Sequence, residues 1–360
     1  MITRIHDKYL LKQFLKVFAL SVIAFVVIYV TVDTFEEIDN FIDHNAKIRH
    51  IVLYYVYSLP FILTYIIPVS LLLGTVFSMG ILARRNEITA FISSGVSLVR
   101  VAQPILLLAM MVSMASAVFN DVVVTRANRR QKDIKRYDIE GRTRSDPRLK
   151  ENFHYLGENG FVYLASRYNH ENRTLYEVVV QQFDENTLVR RVDAKRAVWK
   201  HGAWLFSSGF DRVFQSKSEQ VQAFRELKIP ELQEDPESFA KREVDQENMN
   251  ARELTSYIDK VRKSGGSTER YTTDLYFKFS YPLAGSIFVL IGIAFASGKR
   301  KQSMATGFGV TLLISFIYYG VLRVGQTLGY NGVVPPFLAA QLGNLIFLTV
   351  GVGLLSRANQ

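Results

Sequence analysis

Six stretches of the chain are long and apolar enough to cross a lipid bilayer, and they limit the possible folds more than any other feature. The stretches lie at about residues 12–33, 55–82, 101–123, 273–297, 303–325 and 335–356. A membrane-spanning helix needs about 20 mostly apolar residues, and a backbone inside lipid must satisfy its own hydrogen bonds. The sequence therefore predicts an α-helical membrane protein with three spans on either side of a polar insert.

The charges at the ends of these stretches predict an orientation. Short cytoplasmic loops carry an excess of Lys and Arg. Basic residues lie before or within the start of the first span, between spans two and three, between spans four and five, and after span six: Lys8, Lys12, Lys16, Arg84, Arg85, Arg100, Lys299, Arg300, Lys301 and Arg357. Both termini are therefore expected in the cytoplasm and the central segment outside. The first apolar run is too long for a cleavable signal peptide and is expected to remain as a span.

The central segment has the pattern of an inserted β domain. Between residues 152 and 229, apolar and β-branched runs alternate with turn residues. The predicted strands cover 161–164, 175–183, 188–199, 203–214 and 221–229. A sandwich, a jelly roll and a half-open β shell all fit this spacing. A helix is predicted at about 251–263, because Asn250 and Glu253 have the spacing of a capping box. The predicted divisions are 1–123, 124–249 and 250–360.

Several function classes lack support in the sequence. The chain has no cysteine, so thiolate metal sites and cysteine nucleophiles are excluded. The stretch from Gly292 to Arg300 resembles a phosphate loop, but its second glycine is one residue late and Arg300 replaces the magnesium-binding hydroxyl. Close helix packing is the simpler interpretation of its small residues. We therefore predict no enzyme activity, no cofactor and no metal. The net charge of +10 is attributed to membrane-flanking residues rather than to nucleic-acid binding.

The loop between spans two and three predicts a short amphipathic helix at about 84–97. Ile88, Phe91, Ile92 and Val96 share one face at helical spacing, and charged residues stand at its start. Two interpretations remain open from the residues alone. The helix lies on the membrane surface, or it docks into a groove of a soluble partner.

Two sets of basic residues are candidates for binding an anionic headgroup. One follows span three and contains Arg126, Arg129, Arg130, Lys132 and Arg136. Arginine binds phosphate well, although a solvated surface segment is the ordinary alternative. The other candidate is Arg323, near the outer end of span five. A charge in a span suggests function, but near a helix end the side chain can also extend to the interface.

Four segments together resemble the LptF/LptG permeases of the bacterial lipopolysaccharide exporter. They are Asp7-Lys-Tyr-Leu10, Leu82-Ala-Arg-Arg-Asn-Glu87 with Ser94-Gly95, Leu254 to Gly265 with Arg270-Tyr271, and Gly332-Val-Val-Pro-Pro336. The order of three spans, an external domain and three spans matches as well. The resemblance implies a multi-pass protein of the bacterial inner membrane with a periplasmic jellyroll-like domain, and it favours the LptG type.

The resemblance also implies partners and a coupling site. A second LptF/LptG-type permease, a cytosolic ABC ATPase dimer, periplasmic jellyroll bridge proteins, lipopolysaccharide and membrane lipids are the expected partners. The 84–97 helix would couple to the ATPase through Arg84, Arg85, Glu87, Ile88, Phe91, Ile92 and Gly95.

One region departs from the family pattern. LptG-type members often carry lysines near the outer end of span one, whereas this chain has an acidic run from Asp33 to Asp39. Headgroup contacts are then expected from the 126–136 cluster. A secondary transporter, or a membrane-anchored enzyme or scaffold acting through the β domain, are the alternatives.

Overall fold

The computed structural model places the chain in two compact units. It describes residues 5–141, 149–157, 160–184, 187–200, 202–215, 218–230, 232, 234–236, 239, 248–263, 266–296 and 303–358. One unit comprises Met1–Gly141 and Thr272–Gln360, and the other comprises Arg142–Tyr271. Among the described residues, six helices are long and apolar enough to cross a membrane. The prediction of six spans with an inserted β domain is confirmed.

The first three spans belong to helices much longer than the apolar stretches. The helices of this half are α1 (Ile5–Asp43), α2 (Ile48–Arg84), α3 (Glu87–Ser93), α4 (Leu98–Phe119) and α5 (Thr125–Asp133). Single π-helical segments, Asn120–Val124 and Ile134–Ile139, continue α4 into α5 and extend α5. At 1.5 Å per residue, the 39 residues of α1 span roughly 58 Å, about twice the hydrocarbon thickness. The helix α1, the similarly long α2 and the continuous helix from Leu98 to Ile139 are therefore longer than a bilayer requires.

The projecting ends pack on one another at the end of the bundle remote from α3. Phe41, Tyr54, Ile134 and Ile139 form a buried cluster there. A hydrogen-bonded ion pair joins Lys135 Nζ to a carboxylate oxygen of α1 at 2.5 Å. The structural unit therefore extends to Gly141, beyond the division predicted at residue 124. The charged segment after it is a continuation of the span-three helix, held by apolar contacts, and belongs to the membrane unit.

In the described part of the second half, one helix lies in the β unit and the others lie wholly or mostly in the membrane unit. The helices of this half are α6 (Ala251–Lys263), α7 (Glu269–Ser280), α8 (Ala284–Ala296), α9 (Met304–Tyr330) and α10 (Pro336–Ala358). A 3₁₀ turn with Pro282 joins α7 to α8, and the two helices form span four. The predicted boundary at 250 differs from the structure, because α6 belongs to the unit that contains the sheet.

Small residues bring α8 close to spans two and three. A Cβ added to Gly285 would lie 2.8 Å from Leu71 Cδ1 and 2.9 Å from Ser113 Oγ. A Cβ on Gly292 would lie 3.1 Å from two side-chain carbons of Thr75. These approaches confirm that Gly292 serves helix packing. Residues 297–302, which hold the rest of the phosphate-loop-like stretch and the predicted basic loop, lie outside the described residues.

A buried polar network joins α7, α9 and α10. Asn344 Nδ2 donates to the Ser280 carbonyl at 2.9 Å and to Ser280 Oγ at 2.8 Å. Tyr318 donates to Asn344 Oδ1 at 2.8 Å. Lipid offers no competing water, so every donor and acceptor must find a partner within the protein. The network therefore fixes how the three helices sit together.

The β unit contains a six-stranded antiparallel sheet. Its strands are β1 (Leu149–Leu156), β2 (Phe161–Asn169), β3 (Thr174–Asp184), β4 (Thr187–Lys200), β5 (Ala203–Gln215) and β6 (Ser218–Lys228). They follow one another in the order β1-β2-β3-β4-β5-β6. The prediction covered the five strands β2 to β6 with shorter bounds. In the described residues the connectivity is a meander, not the paired Greek keys of a jelly roll.

The chain after β6 returns to cover one face of the sheet. Trp204 and Phe239 stack with ring centroids 5.2 Å apart inside the domain core. The Trp204 indole donates to the Glu234 carbonyl at 3.0 Å, and Tyr163 donates to the Glu234 carboxylate. Burial, followed by this carboxylate, raises the pKa of Tyr163 above its ordinary value. Most of the predicted connector 231–249 lies outside the described residues.

The predicted capping box of α6 is present. Glu253 N–H donates to Asn250 Oδ1 at 2.8 Å, and Asn250 N–H donates to Glu253 Oε2 at 2.9 Å. The two residues thus satisfy two backbone donors that the first helical turn would leave open.

Candidate functional site

The short helix α3 is bounded by two residues with left-handed backbone conformation. Asn86 (φ 59°) ends α2 and precedes α3, and Gly95 (φ 83°) follows it. Gly95 N–H donates to the Ile92 carbonyl at 2.9 Å, and Val96 N–H donates to the Phe91 carbonyl at 3.0 Å. This pair of bonds is a Schellman motif, which closes a helix C-terminus. The two ends fix the direction in which α3 leaves the span helices.

One face of α3 packs on the spans and the other is open. Ile88 is buried, and Phe91 and Val96 are partly buried against the cluster that also contains Leu10 and Leu98. Ile92 is 50% exposed. The predicted apolar face is therefore only partly correct, because Ile92 lies at the edge of the open face. Besides Ile92, this open face includes Arg84, Arg85, Asn86, Thr89, Ala90, Ser93 and Ser94.

The start of α3 also contacts the first turns of α1. Tyr9 OH accepts from Arg85 Nη1 at 3.2 Å and lies 3.5 Å from Glu87 Oε1, to which it donates. Arg85 Nη1 is 3.8 Å from the same Glu87 oxygen. Arg85 and Glu87, which sequence reasoning singled out, are thus brought together. Tyr9 joins them, and sequence reasoning did not assign it to the site.

A second polar group beside α3 contains a buried carboxylate. Asp7, in the first turn of α1, has a side chain that is 1% exposed. Arg100 Nη2, from the first turn of α4, is 3.4 Å from Asp7 Oδ2, and His6 Nε2 is 3.0 Å from Asp7 Oδ1. The ring of His6 lies 5.6 Å from that of Phe91. Asp7 and Arg100 are 93 positions apart, so sequence spacing gave no signal of their contact.

The beginning of α1 and the end of α10 lie at the α3 end of the membrane unit. Leu355, near the end of α10, packs on the cluster that contains Leu10, Ile88 and Leu98. The first helix, the loop with α3 and the last helix therefore share one end of the bundle. This arrangement agrees with an even number of spans.

The basic residues after span three lie at the opposite end, on α5 and the π-helical segment that follows. Arg126, Arg130 and Arg136 are exposed. Arg129 and Lys132 are partly buried and have interaction partners. The helix places these five predicted residues within three turns, and the three exposed arginines bring positive charge to the surface there. An arginine-rich surface of this kind can bind phosphate oxygens.

Arg323 belongs to a polar group near the end of α9. Its Nη1 donates to Gln326 Oε1 at 2.8 Å. Gln326 Nε2 donates to Tyr330 OH at 2.6 Å, and Tyr330 donates to Asp274 of α7. Arg323 itself is exposed. The guanidinium is thus held at the surface, and the structure does not bring it into contact with the 126–136 residues.

No arrangement in the described ranges suggests a bound metal. No three His, Asp or Glu side chains there converge in a way that would hold an ion. The carboxylates of the acidic run on α1 include Glu37, which pairs with Lys135 and accepts from Asn40 Nδ2 at 2.9 Å.

Comparison with known proteins gives a consistent result. Residues 8–357 match the family model of the lipopolysaccharide export system permease LptF/LptG. The chain is 21% identical over 311 residues to the lipopolysaccharide export system permease protein LptG of Escherichia coli strain K12, with 85% of each chain covered. The LptG protein of E. coli strain CFT073 matches with the same identity and coverage.

The fold and the matches together define the class of the protein. Six spans, an inserted β domain and an exposed helix between spans two and three describe a multi-pass permease, a transporter component and not an enzyme. The chain belongs to the LptF/LptG family of lipopolysaccharide export system permeases. It is an integral protein of the inner membrane, and its matched relatives are of the LptG type.

Proposed function

We propose that the chain is the LptG-type permease subunit of an ATP-driven ABC transporter. The transporter would extract lipopolysaccharide from the inner membrane and pass it to a periplasmic bridge toward the outer membrane. ATP hydrolysis would take place on a separate cytosolic ATPase dimer. A second LptF/LptG-type permease would complete the membrane part.

The observation that carries this proposal is the geometry of α3. A seven-residue helix is too short to be stable alone in water. Here its inner face is fixed on the spans, while Thr89 and Ile92 point away from them. An exposed isoleucine beside Arg84 and Arg85 suits an amphipathic groove on a soluble protein better than an aqueous surface. The larger apolar residues Ile88 and Phe91 face the spans, so the open face has little apolar surface for lying on lipid, which supports docking on a soluble partner.

The orientation follows from the positions of the charges. Lys8, Arg84, Arg85 and Arg100 lie near the α3 end, and Arg357 follows from the last helix. The positive-inside rule places this end, with both termini, in the cytoplasm. The β domain, inserted after span three, would then be periplasmic.

The second permease would cover apolar surface of α1. In the most apolar stretch of α1 only 6% of residues are buried, against 67% in α2. Leu20, Ile23 and Val27 are among its exposed residues. Such a surface faces either lipid or another helix protein. In a cavity shared between two permeases, α1 would contact the second permease when the cavity is closed. It would face lipid when the cavity is open.

The headgroup would be bound at the outer end of the bundle. Arg126, Arg129, Arg130, Lys132 and Arg136 provide the positive charge there, with Arg323 as a separate contact. The acidic run of α1 would repel an anionic ligand less than its sequence suggests, because the charge of Glu37 is compensated by Lys135. This internal pairing supports headgroup binding by the arginines of α5 in place of lysines on α1.

The β domain would form the first segment of the exit route. Its sheet has β1 and β6 as outer strands in the described residues. An outer strand offers unpaired backbone groups to an added strand. A jellyroll bridge protein would continue the sheet at such an edge.

Site-specific crosslinking tests the docking of α3. The chain has no cysteine, so Ile92→Cys introduces one thiol on the open face. We expect a thiol-directed crosslinker in native membranes to join this variant to an ATPase, identified by mass spectrometry. Val333→Cys, exposed in the loop between α9 and α10 at the other end, is the matched control. A lipid-only adduct at Ile92→Cys, or equal yields at both positions, would contradict the proposal.

Headgroup binding has its own test. The double change Arg126→Gln/Arg130→Gln should weaken crosslinking of photoreactive lipopolysaccharide to the purified complex. Arg252→Gln, an exposed arginine of α6, should leave it unchanged. An equal effect of both variants would indicate a general charge effect and remove the α5 surface from the proposal. Transport in vesicles that lack any ATPase would instead support a secondary transporter.

A further inference from the structure

Asp7 is a buried carboxylate for which the helix packing alone gives no reason. Its side chain is almost wholly enclosed, and it meets the Arg100 guanidinium at 3.4 Å and the His6 ring nitrogen at 3.0 Å. Asp7 Oδ1 and His6 Nε2 nevertheless form no hydrogen bond of good geometry with the described residues. A buried charge is costly unless it is paired and hydrogen-bonded. Asp7 has only part of this compensation, since Oδ2 accepts from Arg100 Nη2 at 3.4 Å while Oδ1 has no hydrogen-bond partner among the described residues.

The groups around Asp7 connect three helices. Asp7 opens α1, and Arg100 opens α4, where its backbone N–H is capped by Ser97 Oγ at 3.3 Å. His6 bridges to α3 through its ring contact with Phe91. The other link from α1 to α3, Tyr9 with Glu87, is solvent-exposed and long at 3.5 Å. Asp7 is only 1% exposed, so water screens its pairing with Arg100 less than it screens the Tyr9–Glu87 contact.

Asp7 belongs to α1, and the apolar stretch of α1 is the least buried of the spans. The share of buried residues in that stretch is lowest in α1 among the six described spans. A stretch that the other helices of the chain do not enclose is freer to shift than a span in the centre of the bundle. A shift of α3 would thus displace α1 more readily than the other spans, provided that α3 and the start of α1 are connected.

We infer that Asp7 is a positioning residue that transmits movement of α3 to α1, with Arg100 and His6 holding its carboxylate. This inference rests on the proposed function, because it presumes that α3 is moved by an ATPase. The Asp7 carboxylate is held by Arg100 of α4, which stays in place. The neighbouring His6 ring moves together with Phe91 of α3. Without the charge of Asp7, α3 would still dock and move, but α1 would no longer follow it.

The test uses the complete complex with its ATPase and second permease in proteoliposomes. Lipopolysaccharide released per ATP hydrolysed is measured for Asp7→Asn, which keeps the side-chain volume and removes the charge. We expect this ratio to fall by about tenfold, within the usual range for coupled sites, with ATP hydrolysis and complex yield retained. Asp43→Asn, at the exposed far end of α1, is the matched control and should keep the wild-type ratio.

A double variant separates positioning from simple charge burial. Asp7→Asn/Arg100→Gln removes both charges, so no uncompensated guanidinium remains. Continued loss of the ratio in this variant supports positioning. Recovery of the wild-type ratio would overturn the inference, since Asp7 would then only balance Arg100. If the Asp7 variants fail to assemble, Arg100→Lys provides the test instead. Lysine keeps the positive charge but lacks the planar guanidinium, so the ratio of lipopolysaccharide released to ATP hydrolysed should also fall in this variant.

The two possible failures are distinguishable. If the wild-type chain retains no ATPase, or hydrolysis moves no lipid, the proposed function is wrong. If the wild type is coupled and Asp7→Asn and Arg100→Lys both keep its ratio, only the inference about Asp7 is wrong. Spin labels on Thr89→Cys and Leu20→Cys add a direct measurement. Nucleotide should shift the label on α3 in both backgrounds, but the label on α1 only where Asp7 is present.

Discussion

Replacing Gly95 by alanine should loosen α3 without creating a steric clash. Gly95 has φ 83°, and nothing lies within 4 Å of the Cβ that alanine would add. The only cost is the left-handed backbone, about 1–2 kcal/mol for an L-residue. This cost corresponds to a decrease of roughly 5–30-fold in the ratio of formed to open helix end.

Gly80→Ala is the matched control for this change. A Cβ at Gly80 also meets nothing within 4 Å, but Gly80 lies inside α2. Alanine is favoured there over glycine by about 0.5–1 kcal/mol. The same chemical substitution should therefore destabilise at one position and stabilise at the other.

Hydrogen exchange measures the effect directly. The amides of residue 95 and Val96 donate the two bonds that close α3. Their exchange should accelerate by roughly 5–30-fold in Gly95→Ala, because local opening sets the rate. In Gly80→Ala it should not change. Gly95→Asn should lie between, since asparagine tolerates this conformation. Equal exchange in all variants would refute the assignment of Gly95 as the residue that ends α3.

Three further predictions concern other parts of the chain. Glu87→Ala should uncouple ATP hydrolysis from lipopolysaccharide export in the reconstituted complex, and unchanged export would count against a coupling role. Asn344→Ala should cost about 1–3 kcal/mol by leaving buried partners unsatisfied. Thermal unfolding in detergent should show this loss, whereas Thr349→Ala, exposed on the same helix, should have little effect. Trp204→Ala should destabilise the β unit by about 3–5 kcal/mol, seen as a lower denaturant midpoint by circular dichroism, while exposed Val221 should tolerate alanine.

The membrane architecture could be predicted because apolar length alone identifies a span. The ends of the long helices could not, because outside the bilayer a helix continues through charged residues such as Arg126 and Lys135. There it is stabilised by contacts such as those of Ile134 with the ends of α1 and α2. These tertiary contacts cannot be deduced from the sequence around Ile134. The same limit applies to β1, whose strand pairs with β2 but lacks clear alternation.

The candidate site was predictable in part for a related reason. Helical spacing identified Ile88 and Phe91 as an inner face, since periodicity within one helix is local information. The same spacing assigned Ile92 to that face, but α3 packs on the spans through Ile88 and Phe91, and Ile92 is half exposed. The Asp7–Arg100 pair joins residues 93 positions apart. Such a contact follows from tertiary packing and is visible only in the structure.

The consecutive order of the six strands has a consequence for how the protein is made. Each strand pairs only with its neighbours in the chain, so the sheet can form hairpin by hairpin with short loop closures. The membrane unit differs, because Leu71 of α2 packs beside Gly285 of α8, and the whole inserted domain separates them in sequence. During synthesis the sheet can therefore be complete while the last three spans of the membrane unit are still missing. The last three spans then pack against a first half whose inserted domain has already folded.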